Sequence, residues 1–128
     1  MAAVLPESER TACLARFTSW RDDSVRLLAP DLFRYEVHAV LHQKVMRGVL
    51  TPAERGAAWQ VIEGFGIEMA APSDLWVRAW ELADKFKAPT TNDMIYLALA
   101  DLRGCEFWTL DRKLARSAAR SRIAIHTI

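Results

Sequence analysis

The chain has 128 residues, 52% hydrophobic and 26% charged, with a formal net charge of +1, which is typical of one globular domain over residues 1–128. Its two cysteines, Cys13 and Cys105, are too few for a disulfide framework and match no metal-binding spacing, so we expect a reducing, cytoplasmic setting. No apolar run reaches the roughly 18 to 20 residues that cross a bilayer, and MAAVLPESER lacks the features of a secretion signal, so we expect no membrane association.

The first half of the chain predicts helices separated by short strands. Residues 6–20 have apolar residues at loosely helical spacing, and residues 24–30 are typical of a short strand that ends at a proline. Thr51-Pro-Ala-Glu54 combines a capping residue, an early proline and a glutamate at the third position, which predicts a helix over residues 52–63. The clearest helix is expected over residues 31–48, where an apolar stripe repeats at Phe33, Val37, Val40, Leu41 and Val45.

The second half continues the alternation. Residues 67–72 predict a strand, and Ser73 is the expected N-cap of the next helix, whose apolar stripe comprises Leu75, Trp76, Ala79, Trp80 and Ala83. Because both tryptophans fall on this stripe, they are interpreted as core residues in preference to a ligand platform. The remaining predictions are a helix over residues 91–103, a strand over 105–110, a helix from Asp111 and a strand over 122–128.

Strands that alternate with helices indicate an α/β domain. We therefore expect a parallel sheet with helices on both faces, in three layers. In such a sheet, ligand sites lie at the carboxyl ends of the strands. Residues at the starts of the following helices are the first candidates for a site.

Three carboxylates occupy such positions. Asp93 and Asp111 stand at predicted helix starts, where each is also explained as a helix cap or as a favourable partner of the helix dipole. Glu36 is no cap, since it lies near the apolar stripe of the helix over residues 31–48, where it needs a cation, a hydrogen-bonding partner or a water-filled cleft. The partner of Glu36 could equally be a buried arginine, such as Arg34 or Arg78, or a metal ion.

The combination of these carboxylates favours a cation. If the three helix starts converge on one edge of the sheet, the anionic side chains repel each other and raise each other's pKa unless a divalent ion lies among them. Ligands that are all oxygen suit Mg²⁺ or Mn²⁺, which also accept ligands from substrate phosphates.

The end of the chain is basic. All 16 acidic residues lie at or before Asp111. The Lys and Arg residues that follow it are Arg112, Lys113, Arg116, Arg120 and Arg122. Such a segment binds a phosphate backbone or forms a solvated helix face, and both interpretations stay open.

Three segments resemble the PIN-domain family, and more specifically the VapC-like toxins of toxin–antitoxin pairs. They are LLAPDLFRYEVHAVLHQKVMRGVLTPAE, the segment TTNDMIYLALADLRGCEFWTLDRKLA, and the helix, strand and helix between them. The resemblance extends over nearly the whole chain and implies that Glu36, Asp93 and Asp111 are acidic catalytic and metal-binding residues. It further implies a ribonuclease that uses Mg²⁺ or Mn²⁺, a cognate antitoxin that neutralises it, and a homodimer.

Other residues receive roles beside these carboxylates. Thr109 is interpreted as a catalytic hydroxyl near the scissile phosphate, or equally as a strand-end residue or cap. Asn92 is interpreted as a polar neighbour of the site or as a helix-start residue. The basic side chains of Arg112, Lys113 and Arg116 are the predicted contacts for RNA.

The resemblance departs from the family pattern at the N-terminus. Family members begin with a central strand that ends in an aspartate, and no such strand precedes MAAVLPESER. We expect that the domain is truncated and that the biological start lies upstream; the alternative is that MAAVL and its neighbours fill the gap. The alternative function is therefore an impaired PIN-like module that binds antitoxin or RNA without cleavage; a phosphoacceptor receiver domain fits less well, because the required aspartate and lysine are misplaced.

Overall fold

The computed structural model describes the chain from Glu7 to Ile128, with side chains from Thr11 onwards. By its internal contacts the chain divides into two compact units, of which the first ends at Met69 and the second spans Ala70–Ile128. The predicted strand-filling role of MAAVL lies outside the described residues. The single domain over residues 1–128 stays a prediction.

Within residues 7–69, the first unit contains three helices and one pair of strands. The strands run parallel, with Leu28 opposite Glu68 and Ala29 opposite Met69. A salt bridge from Arg26 to Glu68, with nitrogen and oxygen 2.6 Å apart, lies beside this pair on its exposed side. The elements are α1 (Glu7–Asp22), β1 (Leu28–Ala29), α2 (Leu32–Met46), α3 (Pro52–Glu63) and β2 (Glu68–Met69).

The start of α3 confirms the predicted capping box. The Glu54 amide donates to Thr51 Oγ1 at 3.1 Å, and the Thr51 amide donates to Glu54 Oε1 at 3.0 Å. These two bonds satisfy amide groups that a helix start would otherwise leave without partners, and Pro52 at the first helical position has no amide to satisfy. Local sequence alone therefore determines where α3 begins.

The second unit also contains three helices and a parallel pair of strands. Trp108 lies opposite His126 and Thr109 opposite Thr127 in that pair. Its core forms where α4 packs on α5, through side chains such as Leu82 and Leu97 that are at most 1% exposed. The elements are α4 (Leu75–Phe86), α5 (Asn92–Arg103), β3 (Phe107–Thr109), α6 (Arg112–Ser117) and β4 (Ile125–Thr127).

Two predictions for α4 are wrong. The N-cap is Asp74 and not Ser73, and the cap makes no side-chain hydrogen bond. Trp76 and Trp80 are 56% and 58% exposed, so they are not core residues. Leu75, Ala79, Leu82 and Ala83 form the buried stripe instead, and each tryptophan lies about 100° further round the helix than the stripe residue before it.

The mixture of helices and small parallel sheets agrees with the α/β prediction. Each sheet in residues 7–128 has two strands, so the predicted three-layer arrangement around one central sheet is not shown. The predicted loss of a central first strand likewise stays a prediction. Within this described part of the chain, no helix is both long and apolar enough to cross a membrane.

Candidate functional site

Asp93 lies in the first turn of α5 and is exposed to solvent. Asp93 is not the helix cap, because Thr91 is the N-cap of α5, and Thr91 makes no side-chain cap hydrogen bond. A negative charge in the first turn still favours the helix dipole. The structural role of Asp93 is therefore a favourable interaction with the dipole of α5. This interaction does not cover the carboxylate, which stays accessible to solvent. Asn92, the first residue of α5, is exposed as well.

Asp111 is the N-cap of α6, as the sequence predicts. Its Oδ1 accepts a hydrogen bond from the Leu114 amide at 2.9 Å. Its own amide donates to Thr109 Oγ1, also at 2.9 Å. The Thr109 hydroxyl, at the end of β3, thus fixes the backbone of Asp111 and so helps to orient the Asp111 carboxylate.

The two aspartates interact electrostatically within the second unit. Although Asp93 is exposed as a whole residue, partial desolvation of its carboxylate raises its pKa above the ordinary value, and the negative charge of Asp111 raises it further. A shift of this direction is what two neighbouring carboxylates produce when no cation neutralises them. The starts of α5 and α6 therefore bring Asp93 and Asp111 within electrostatic reach of each other.

Glu36 lies in α2 of the first unit, where it is half-buried beside the buried Val37. Arg78, one of its suggested partners, donates to Asp101 and Glu81 in the second unit. Across residues 7–128, no three His, Cys, Asp or Glu side chains form a group that could hold a metal ion. Of the three predicted metal ligands, Asp93 and Asp111 interact electrostatically within the second unit, and the role of Glu36 stays a prediction.

The aspartate pair fits part of the coordination shell of a hard divalent ion. Mg²⁺ is commonly bound through one or two carboxylates, keeps several waters and takes other ligands from phosphates. Asp93 and Asp111 are exposed, and the pKa of Asp93 is raised first by desolvation and then by the negative charge of Asp111, which a bound cation would offset. Their chemistry is therefore suited to Mg²⁺ or Mn²⁺.

Basic side chains follow Asp111 directly. Arg112, Lys113 and Arg116 of α6 are all exposed. Exposed Lys and Arg neutralise phosphate charge without reading sequence. This helix thus presents cations next to the aspartate that caps it, a combination suited to a phosphate-containing ligand.

The sequence did not predict an ion-pair network that surrounds Asp101. The Asp101 carboxylate accepts from Arg78 Nε at 2.6 Å and from Arg122 Nε at 3.2 Å, and its side chain is only 8% exposed. Burial acts to raise the pKa of Asp101, but the bonds from the two arginines outweigh burial and lower it. No sequence motif marks this network, since its members come from α4, α5 and the segment before β4.

With this geometry established, comparison with known families identifies the chain. The family model of the PIN domain matches residues 3–120, which is most of the sequence. The chain belongs to the PIN-domain family. PIN domains are typically metal-dependent nucleases, and the aspartates of this PIN domain are the residues that its sequence singled out for that chemistry. No curated protein matches the chain.

Proposed function

We propose that this PIN domain is a VapC-like toxin: a metal-dependent endoribonuclease that is neutralised by a cognate antitoxin and acts in the cytoplasm as a homodimer. The observation that carries the proposal is the Asp93–Asp111 pair: the pKa of Asp93, at the start of α5, is raised by desolvation and also by the negative charge of Asp111. Membership of a family of nucleases gives this pair a chemical role.

In this proposal, Asp93 and Asp111 hold Mg²⁺ or Mn²⁺, and Glu36 keeps the acidic role that the family resemblance implies. When bound, the ion lowers the pKa of a water for attack on a phosphodiester and neutralises charge at the phosphate. Arg112, Lys113 and Arg116 bind the RNA backbone beside the pair. Thr109 holds the Asp111 backbone through its hydroxyl and so orients the carboxylate.

A second candidate function has its own support. Three carboxylates do not form one group within residues 7–128, and two carboxylates bind a divalent ion less tightly than three. The chain would then be a PIN-like module that binds antitoxin or RNA without cleavage. The two functions differ in metal binding and in turnover, so one set of measurements separates them.

The test measures RNA cleavage and Mn²⁺ binding with the same protein. Wild type is expected to cleave single-stranded RNA with Mg²⁺ or Mn²⁺ and to lose activity with EDTA. Asp93→Asn keeps the size of the side chain but removes its charge, and it should reduce cleavage at least a hundredfold because a metal ligand and its charge are lost. Asp84→Asn, which neutralises an exposed carboxylate on α4, is the matched control and should keep wild-type activity.

The results of these measurements distinguish the ribonuclease toxin from the non-catalytic module. Cleavage that persists in EDTA, or that Asp93→Asn leaves intact, contradicts the toxin proposal. If the wild type binds RNA but neither cleaves it nor binds Mn²⁺ by calorimetry, the non-catalytic module is the correct function. Because metal affinity requires the ionised carboxylates, Mn²⁺ binding should strengthen as pH rises through the raised pKa of Asp93.

A further inference from the structure

One side-chain cluster of the second unit takes no part in the proposed nuclease site. It lies on the β3–β4 pair, where Trp108 stands opposite His126 in the parallel register. The two rings stack with centroids 4.7 Å apart and planes 21° from parallel. Glu106 lies two residues before Trp108, and its Oε2 accepts from Trp108 Nε1 at 3.1 Å. We call Glu106, Trp108 and His126 the sheet cluster.

The sheet cluster has one unsatisfied polar atom. Nε2 of His126 is buried and has no hydrogen-bond partner within the described chain, and Glu106 Oε1 lies 3.6 Å from it. That distance exceeds the range of a hydrogen bond. A buried polar atom without a partner costs free energy, and a neutral imidazole presents either a lone pair or an uncharged N–H toward the carboxylate.

Protonation of the imidazole changes this balance. Both ring nitrogens of the imidazolium donate, so Nε2 gains a proton and a positive charge that faces Glu106. The face of the stacked Trp108 ring attracts the same charge. A small closure of the 3.6 Å gap would then produce a charge-assisted hydrogen bond across the two strands.

The other charges around β4 come from α6, which packs against this strand, and from the segment before it. One of them is an anion, Asp111, the N-cap of α6. The others are cations, which oppose a positive charge on His126: Arg112, Lys113, Arg116, Arg120 and Arg122. Arg122 is already bound to Asp101, and the cations of α6 are exposed and therefore screened by salt. Glu106, whose Oε1 lies 3.6 Å from His126 Nε2, is the acid that faces the imidazole.

We propose that His126 and Glu106 form a proton-controlled clasp, in which protonation of the imidazole joins β4 to β3 more tightly. The backbone links that would be affected are the hydrogen bonds from the Phe107 amide to Ala124 O, at 2.9 Å, and from the Ile128 amide to Thr109 O, at 3.2 Å. Because β3 ends at Thr109, the clasp steadies the strand that leads to Asp111. The proposal stands whether or not the chain cleaves RNA.

Amide hydrogen exchange measured by NMR tests the clasp on the full chain. Protection of the Phe107 and Ile128 amides, corrected for the intrinsic effect of pH, should rise as His126 protonates, by about fivefold at most for a partly exposed pair. Glu106→Gln keeps an acceptor for Trp108 Nε1 but removes the charge, and it should abolish the rise. His126→Phe keeps an aromatic ring against Trp108 and should abolish it as well.

A control variant tests whether a histidine of the first unit contributes to the pH-dependent protection. His38 lies on α2 of the first unit, where its ring packs on Trp59 with centroids 4.2 Å apart. His38→Gln should therefore leave the pH-dependent protection of Phe107 and Ile128 unchanged. Protection that does not rise in wild type as His126 protonates, or that still rises in Glu106→Gln, overturns the proposal.

Discussion

Asp101→Asn is the sharpest test of how the second unit is held together. The Asp101 carboxylate joins α4 to α5 through Arg78 and reaches the segment before β4 through Arg122. The substitution removes the negative charge and replaces one acceptor oxygen by a donor. At least one of the two arginines then loses its acceptor.

The expected cost follows from the exposure of each pair. Arg78 is 27% exposed and Asp101 8%, so their 2.6 Å bond is a partly buried, charge-assisted one that contributes about 1.5 to 3 kcal/mol. Arg122 is 81% exposed, and such pairs contribute only about 0.2 to 1 kcal/mol. Since asparagine retains one acceptor, we expect the free energy of unfolding to fall by about 2 kcal/mol at neutral pH.

The cost should depend on pH in a defined direction. The two arginines hold the pKa of Asp101 below its ordinary value, against the effect of burial. A carboxyl with a lowered folded pKa stabilises the native state above its unfolded pKa of about 3.9, and this contribution is lost as pH falls through the folded pKa. Wild type and Asp101→Asn should therefore differ at pH 7, and their difference should begin to shrink as pH falls below about 4 and disappear below the folded pKa of Asp101.

Urea denaturation followed by circular dichroism, at pH 7 and at successively lower pH values below about 4, provides the measurement. Asp84→Asn is the control, because it neutralises an exposed carboxylate on α4, and its stability should stay within about 0.5 kcal/mol of wild type. A loss below 0.5 kcal/mol for Asp101→Asn at pH 7, or a difference from wild type that persists undiminished in acid, would refute the reasoning.

Two further predictions concern local structure. Thr51→Ala should destabilise the protein by about 1 kcal/mol because it removes the capping bond of α3, whereas Ser73→Ala, next to a cap without a side-chain bond, should have almost no effect in thermal denaturation. Trp80→Ala should change the free energy of unfolding by less than about 0.5 kcal/mol because the ring is exposed, whereas Leu82→Ala should cost about 2 to 5 kcal/mol because that side chain is 1% exposed. Equal losses for either pair of variants would contradict the assignment of caps or core.

Several features of the fold were predictable because they depend on neighbours in sequence. The capping box at Thr51 and the cap at Asp111 each involve residues within three positions, and both are confirmed. The helical stripe of α2 is confirmed over Leu32–Met46, with Val37 and Leu41 buried. Helix starts and stops of this kind follow from local hydrogen bonding, which a sequence displays directly.

Errors arose where burial had to be assigned. Both faces of α4 carry large apolar residues, so the sequence placed Trp76 and Trp80 on the same stripe as Leu75 and Ala79. Only the packing of α4 against α5 decides which face is buried. Hydrophobicity gives the number of apolar residues but not the position of the partner helix.

The sequence by itself determined the kind of chemistry that this PIN domain offers. Acidic residues at helix starts and a basic end of the chain are visible without coordinates, and so is the match to the family. The tertiary structure decided which charges meet: Asp93 with Asp111, Asp101 with two arginines, and His126 with Glu106. Each of these charge pairs joins residues from separate elements of the fold. Their electrostatic energies depend on distances and solvent exposure, which only the folded chain defines.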